Sequence, residues 1–169
     1  VRFGARLDPG VPVEASIPVF LWSEAVLRGG DLTAEDGVRG ADRLDAPVRG
    51  IWAVASNCLV NQHANVNRSA RILSDPELVE LLVVQDNFLT PTARFADLVL
   101  PACTQWETWG VQDGWKYGDE VILLPKLVDP PGECLSDYAI ARGVAKRLGV
   151  EEGYSEGRDE RGWVEWCLD

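Results

Sequence analysis

Two short apolar segments joined by a helical pattern constrain the fold of this chain more than any other feature. The segments "IWAVAS" (51–56) and "ELLVVQD" (80–86) are apolar runs that end in polar residues. Such runs are typical of strands buried on both faces of a parallel sheet. Between them, residues 64–73 carry one apolar helical face, formed by Val66, Ala70 and Leu73. A strand, a helix and a second strand in this order predict a right-handed parallel crossover.

Further elements are expected on the C-terminal side of this crossover. The pattern predicts a short helical turn over 91–96, a strand over 97–101, a Trp- and Gly-rich loop, and another strand over 120–125. Residues 136–149 predict a helix with Ser136 or Asp137 as its cap and Gly149 at its end. The tail after Val150 predicts a final helix around Trp163 and Trp166.

The first 50 residues give a weaker pattern. Residues 1–18 contain three prolines and predict an irregular arm, and Ile17 to Leu27 predicts a strand or a short helix. Residues 29–50 are rich in Gly and charge, which predicts an exposed loop with little structure. Together the elements predict an α/β, Rossmann-like three-layer domain with a mainly parallel sheet. We expect a single domain over 1–169, with an arm and loop at 1–49, a core at 50–150 and a tail at 151–169.

Composition narrows the classes of function. The 169 residues carry a formal charge of −11, which argues against a protein that grips nucleic acid through a basic surface. A single pyrophosphate can still be held by local N–H groups. The four cysteines lack metal-ligand spacing and are expected to be small buried or partly buried thiols. The chain begins at Val1 and contains no Met, so we expect an excised piece of a larger protein.

Polar side chains follow the first two predicted strands at the point where each strand ends. They are Asn57, Asn61, Gln85, Asp86 and Thr90. Because the carboxyl ends of parallel strands meet at one edge of a sheet, these residues predict a ligand site there. Amides and carboxylates can contact a base, ribose hydroxyls or phosphate. The alternative is that Asn57 and Asp86 only form turns and caps.

Other motifs carry less information. His63 is the only histidine and has no recognisable catalytic partner, so we expect a loop or cap residue. The chain contains neither GxGxxG nor GxxxxGK[ST], which argues against the standard dinucleotide and P-loop cradles. Tryptophans 106, 109 and 115 either stack on a planar ligand or pack a loop against a neighbouring domain.

Two longer runs carry a family resemblance. They are "NCLVNQHANVNRSARIL" and "LLVVQDNFLTPTARFADLVLPACTQWE", followed by a late Ser-Asp helix start. Over nearly the whole chain, these motifs resemble the molybdopterin oxidoreductase family, and within it the catalytic subunits of anaerobic dimethyl sulfoxide reductases. The resemblance implies a domain that holds one of two molybdopterin guanine dinucleotides across the carboxyl edge of its sheet.

The same resemblance implies which residues contact the cofactor. Asn57 and Asn61 occupy the loop after the first strand, Gln85 and Asp86 the end of the next, Thr90 the following turn, and Asp137 the start of the late helix. The family's cysteine cluster for a [4Fe–4S] centre, its molybdenum ligand and its second dinucleotide domain have no counterpart in this sequence. We therefore expect no catalytic residue, no metal ligand and no activity from the chain alone.

For the longer protein, the resemblance implies a molybdenum-bis(molybdopterin guanine dinucleotide) enzyme that reduces S-oxides or N-oxides by oxygen-atom transfer in anaerobic respiration. It implies partners in the remaining domains of the subunit, an iron–sulfur electron-transfer subunit and a membrane anchor subunit. It also implies a location on the outer, periplasmic face of the bacterial cytoplasmic membrane. The alternative is a non-catalytic nucleotide-binding or interaction α/β domain, suggested by the strand-end polar cluster and the seven tryptophans.

Overall fold

The computed structural model of the chain describes residues 15–62, 64–113 and 120–169. These residues belong to two compact units, one that ends at Leu100 and one that begins at Pro101. We call residues 15–100 the first unit and residues 101–169 the second unit. The single domain expected over 1–169 stays a prediction, because the compactness of each unit does not decide whether the two fold together. His63 and Trp115 lie outside the described residues.

The elements follow one another in a mixed order of helices and strands. Those that begin in the first unit are α1 (Trp22–Arg28), β1 (Gly50–Val54), α2 (Cys58–Asn61), α3 (Val66–Leu73), β2 (Leu81–Asp86) and β3 (Leu98–Pro101). Those of the second unit are β4 (Gly110–Asp113), β5 (Val121–Leu124), α4 (Asp137–Arg147), α5 (Glu151–Ser155) and α6 (Glu160–Leu168). Single 3₁₀ turns occur at Val19–Leu21, Gly29–Asp31, Ala34–Asp36 and Ala93–Phe95. None of the described helices has the length and apolar character of a membrane span.

A three-stranded sheet in the order β1-β2-β3 organises the first unit. β1 and β2 pair in parallel, with Gly50 opposite Leu81 and Val54 opposite Gln85. The predicted α/β class and the parallel pairing across the α3 crossover are confirmed. The register also brings the carboxyl ends of β1 and β2 side by side, as the predicted ligand edge requires.

Only one face of β1 is buried, which corrects the prediction of burial on both faces. Ala53 of β1 and Val84 of β2 lie in the core, where α2 and α3 cover them. On the other face, Trp52 is 43% exposed and Val54 is 45% exposed. A continuous apolar run does not distinguish the two cases, because it is compatible with a strand buried on one face and with a strand buried on both.

The buried face of α3 also differs from the predicted one. Val66 is 47% exposed, whereas Ser69, Ile72 and Leu73 are buried. The reason lies at the start of the helix, where the Asn65 side chain accepts a hydrogen bond from the N–H of Arg68 at 3.0 Å. This cap starts the helix at Val66, two positions later than predicted, and Val66 becomes an exposed first-turn residue.

Arg68 then ties α3 to α1. Its guanidinium donates to the Glu24 carboxylate at 2.5 Å and to the Ser23 hydroxyl at 3.1 Å. The hydrogen bonds from Arg68 and Arg28 hold the pKa of Glu24 below its ordinary value. The expected strand or short helix over 17–27 is therefore a helix that α3 helps to position.

Residues 29–50 form a small second core instead of the predicted exposed loop. Leu32 is completely buried, Val38 is 4% exposed, and both pack with Ala25 of α1. Thr33 and Asp36 exchange capping hydrogen bonds that fix the turn between Leu32 and Val38. The isolated apolar residues in a Gly-rich, charged segment are too few to reveal this core by periodicity.

The second unit contains an antiparallel hairpin and three helices. The strand predicted over 120–125 is present as β5, but it pairs antiparallel with β4, which the sequence pattern assigned to a loop. Ser136 caps α4 by accepting from the N–H of Ala139 at 3.0 Å, and Gly149 follows its end with φ of 76°. The predicted caps are thus confirmed, and α6 contains both Trp163 and Trp166, as expected.

The close approach of backbone at Gly29 gives a test of the packing beside α1. A β-carbon at Gly29 would lie 2.6 Å from the carbonyl oxygen of Ala46 and 2.7 Å from Cα of Pro47. Since backbone must move to admit it, Gly29→Ala is expected to lower the free energy of unfolding by about 1–3 kcal/mol in urea denaturation.

The matched control is Gly30→Ala, where the nearest atom, the carbonyl oxygen of Asp45, is 3.9 Å from the added carbon. We expect no loss of stability there and a gain of up to about 1 kcal/mol from the restricted unfolded chain. Equal losses for the two variants would contradict the packing described at Gly29.

Candidate functional site

The chain turns sharply where β1 ends. Ala55 has φ of 47°, a left-handed conformation that is uncommon for a residue with a side chain. Its N–H donates to the carbonyl oxygen of Gln85 at 2.8 Å, so the turn stays attached to the end of β2. The Ser56 hydroxyl accepts from the N–H of Cys58 at 3.3 Å, and α2 begins immediately. The turn therefore directs Asn57 across the edge of the sheet.

Asn57 connects this turn to the segment before β3. Its Oδ1 accepts two hydrogen bonds from Thr92, one from the backbone N–H at 2.9 Å and one from the hydroxyl at 2.8 Å. Thr92 is completely buried. Buried polar groups need partners, so this pair holds the two segments together. We call the pair the Asn57–Thr92 clamp. Oδ1 is committed to it, which leaves the Nδ2 group of Asn57 as the donor for a ligand.

Gln85 and Asp86 end β2 at the same edge. Gln85 is only 2% exposed, so its side chain is part of the interior, and Asp86 is half-buried. Oδ1 of Asp86 accepts from the N–H of Phe88 at 3.1 Å, which forms an Asx turn. The turn leaves Oδ2 as a further acceptor. The register pairs Val54 with Gln85, so Asp86 ends β2 at the edge where Ala55 and Asn57 follow β1.

Thr90 and Asn61 occupy the outer parts of this edge. The Thr90 hydroxyl accepts from the N–H of Ala93 at 3.3 Å and starts the 3₁₀ turn that contains Ala93. Asn61 is exposed at the end of α2. Of the two residues for which turns and caps were the alternative, Asp86 forms a local turn, whereas the Asn57 side chain makes no cap hydrogen bond and instead binds Thr92. Contacts to a cofactor stay a prediction for all of the proposed site residues.

One central residue was missed by the sequence analysis. Thr92 was not among the predicted site residues, although it is the partner that fixes Asn57. The signal was the second threonine of "TPT" (90–92) at the start of a predicted turn. Asp137, the sixth predicted residue, belongs to the second unit, and its place in a common site with the other five stays a prediction.

A cavity of about 580 Å³ lies in the second unit. Asp137 lines it at the start of α4, and Cys103, Tyr138, Glu160 and Trp163 contribute to its walls. Burial raises the pKa of the Glu160 carboxyl, although a hydrogen bond from the backbone N–H of Trp109 opposes the shift. Burial also raises the pKa of the Cys103 thiol.

The four cysteines are free thiols, as the sequence predicts. Cys58 is buried. The other three are partly buried: Cys103, Cys134 and Cys167. Among the described residues, no three His, Cys, Asp or Glu side chains converge on a metal position.

A comparison with protein families identifies the chain. The family model for molybdopterin oxidoreductase matches residues 19–147. The chain belongs to the molybdopterin oxidoreductase family. Membership implies a molybdenum–molybdopterin cofactor. The match includes both segments of the Asn57–Thr92 clamp.

Several curated relatives carry names of reductases. The dimethyl sulfoxide reductase DmsA of Escherichia coli is 42% identical over 90% of this chain, and that of Haemophilus influenzae is 40% identical over 90%. The trimethylamine-N-oxide reductase of Vibrio cholerae is 31% identical over 91% of the chain. The chain spans 19% of the length of each DmsA relative and 18% of the Vibrio protein.

A solved structure shares the fold. The acetylene hydratase of Pelobacter acetylenicus superposes with a TM-score of 0.64 at 26% sequence identity. The superposition covers 89% of this chain and 20% of the hydratase. The α/β assignment therefore rests on a solved structure of similar fold as well as on the strands described above.

A double-mutant cycle tests the Asn57–Thr92 clamp. Asn57→Ala removes the acceptor and Thr92→Val removes the hydroxyl donor while keeping the side-chain shape. Because a hydrogen bond of a buried hydroxyl contributes about 1 kcal/mol, the coupling free energy of unfolding is expected at about 0.5–2 kcal/mol. Urea denaturation of the wild type, both single variants and the double variant measures it.

The control cycle pairs Asn57→Ala with Thr104→Val, whose side chain lies in the second unit. Its coupling is expected to lie within about 0.5 kcal/mol of zero. A coupling at Thr92 no larger than this control value would show that the two side chains do not support each other.

Proposed function

We propose that this chain is the part of a dimethyl sulfoxide reductase-type molybdoenzyme that holds molybdopterin guanine dinucleotide. The longer protein would reduce S-oxides or N-oxides by oxygen-atom transfer in anaerobic respiration. The similarity to both DmsA and a trimethylamine-N-oxide reductase supports this substrate range. For the chain itself, the proposed cofactor-holding role rests mainly on the Asn57–Thr92 clamp.

The donor set at the carboxyl edge fits a guanine dinucleotide. A guanine base and a ribose present N–H and O–H donors, for which Oδ2 of Asp86 is a suitable acceptor. A pyrophosphate needs donors, and the amides of Asn57 and Asn61 can supply them. The edge thus combines hydrogen-bond acceptors with hydrogen-bond donors, although the chain as a whole is strongly acidic.

The clamp would make this edge a rigid support. Without it, the loop after β1 and the segment before β3 would each have to be ordered when the ligand binds, which costs affinity. With it, Oδ1 of Asn57 is fixed by Thr92 and the Nδ2 donor is oriented beforehand. The buried Gln85 would hold the end of β2 in place from the interior of the first unit.

The bound cofactor supplies the oxygen-atom transfer chemistry, and the residues of this chain supply position and electrostatics. Asp86 would hold the base or ribose, Asn57 and Asn61 the phosphates, and Thr90 the turn beside them. Asp137, which follows the cap residue Ser136, is included as a further proposed cofactor contact. None of these side chains would take part in a proton or electron transfer.

The remainder of the enzyme would lie outside this chain. We include in the proposal a bis(molybdopterin guanine dinucleotide) form of the cofactor, a [4Fe–4S] cluster elsewhere in the subunit, an iron–sulfur electron-transfer subunit and a membrane anchor subunit. The periplasmic face of the bacterial membrane is the proposed location. The small-molecule oxide would reach the metal through other domains.

Guanosine diphosphate is a direct probe of the proposed edge. Titration of the chain followed by NMR is expected to shift the amide signals around Asn57, Asp86 and Thr90. Asp86→Asn keeps an acceptor for the Asx turn but removes the carboxylate. Because a hydrogen bond to a charged group contributes about 1.5–3 kcal/mol, affinity should fall by about tenfold or more.

Asp75→Asn is the matched control, because Asp75 forms an equivalent turn by accepting from the N–H of Glu77 at 3.0 Å. Its affinity for the nucleotide should equal that of the wild type. Equal affinities for Asp86→Asn and wild type, or shifts confined to other parts of the chain, would overturn the proposed edge.

A further inference from the structure

The cavity of the second unit has the size and walls of a small-molecule site. Its volume of about 580 Å³ lies within the range of about 300–1,000 Å³ that is usual for ligand pockets. Four of its lining residues are aromatic: Trp109, Tyr138, Tyr154 and Trp163. Tyr138 and Tyr154 stack with ring centroids 5.6 Å apart, and the Trp163 indole N–H donates to the Tyr138 hydroxyl at 3.2 Å. These contacts order the aromatic wall.

One carboxylate in this cavity lacks a partner for one of its oxygens. Oε1 of Glu160 is buried and makes no hydrogen bond to the described residues. The backbone N–H of Trp109 provides a hydrogen bond to the carboxylate, yet burial still raises the pKa of Glu160. Glu160 as a whole is half-buried, but an enclosed carboxylate oxygen such as its Oε1 is costly unless a hydrogen-bonding partner compensates it.

The nearby cations are already paired with other carboxylates. Lys126 contacts Asp129 at 2.9 Å, and Arg142 contacts Glu151 at 2.8 Å. Just before α6, Arg158 pairs with Glu156, and on α6 itself Arg161 pairs with Glu165. No ion pair among the described residues includes Glu160, although the positive charge of Lys126 lies near enough to act against the rise of its pKa.

The aromatic rings of this region also attract cations. The guanidinium of Arg161 lies 5.3 Å from the centroid of the Trp109 ring, and that of Arg158 lies 4.7 Å from the Trp163 ring. Distances below about 6 Å are typical of cation–π contacts. Trp109 and Trp163 therefore already contact a guanidinium, and the aromatic wall suits the apolar body of an organic ligand better than a hydrated inorganic ion.

We propose that this cavity binds a protonated organic amine. The ammonium group would donate to Oε1 of Glu160, and an apolar or aromatic body would lie against the rings of Trp109, Tyr138, Tyr154 and Trp163. The formal charge of −11 would raise the local concentration of such cations around the chain. This site goes beyond the proposed dinucleotide function: Asp137, a proposed cofactor contact, lines the same cavity, but the amine would bind to Glu160, which the proposed cofactor contacts do not include.

The test compares two probes that differ in charge but have similar size. The full chain is titrated by calorimetry with 2-phenylethylammonium chloride and with neutral 2-phenylethanol at equal ionic strength. Since a charge-assisted hydrogen bond contributes about 1.5–3 kcal/mol, the ammonium is expected to bind at least about tenfold more tightly than the alcohol. Glu160→Gln should remove this preference.

Glu152→Gln is the matched control, because it removes the same charge from an exposed position that does not line the cavity. It should leave the affinity for the ammonium unchanged. If circular dichroism shows that Glu160→Gln is unfolded, Glu160→Asp serves in its place. It keeps the charge on a shorter side chain and should keep a preference for the ammonium while lowering its affinity.

Three results would overturn the proposal: no binding of the ammonium at about 10 mM, equal affinities for the two probes, or an unchanged preference in Glu160→Gln. Binding of guanosine diphosphate is a separate measurement on the same variants. Glu160→Gln should leave it unchanged, so failure of the amine site and failure of the dinucleotide proposal are distinguishable.

Discussion

Two hydrogen bonds to one amide oxygen determine the geometry of the carboxyl edge of the parallel sheet. Oδ1 of Asn57 accepts both from Thr92, which is separated from it by 35 positions in the chain and has no exposed surface. The turn through Ala55, with its unusual positive φ, places Asn57 where this contact can form. The remaining polar groups of the edge, including Asp86 and Thr90, are arranged around segments that the clamp fixes.

The two units present different chemistry. In the first unit, Asp86 forms a local turn and Asn57 a long-range contact, and each still offers one further acceptor or donor. In the second unit, aromatic residues line the same cavity as Glu160, whose Oε1 has no hydrogen-bond partner among the described residues. The first arrangement suits a ligand rich in phosphate and base edges, whereas the second suits an organic cation.

Local sequence patterns predicted the positions of helices and strands better than the burial of their side chains. The strands at 51–56 and 80–86 and the capped helix after Ser136 follow from short-range chemistry, so the sequence located them correctly. Burial of Leu32 and exposure of Trp52 depend on contacts between distant segments, which periodicity does not report. For the same reason, Asn57 could be singled out as a strand-end residue, but Thr92 could not be recognised as its partner.

Hydrogen exchange of the longer subunit, compared with and without its molybdopterin cofactor, tests the central claim most directly. The claim is that the edge formed by residues 55–61, 85–86 and 90–92 holds the dinucleotide. It predicts slower amide exchange in peptides from these segments when the cofactor is bound, and no change around the control turn at Asp75. Identical exchange in the two states across the edge segments would contradict it.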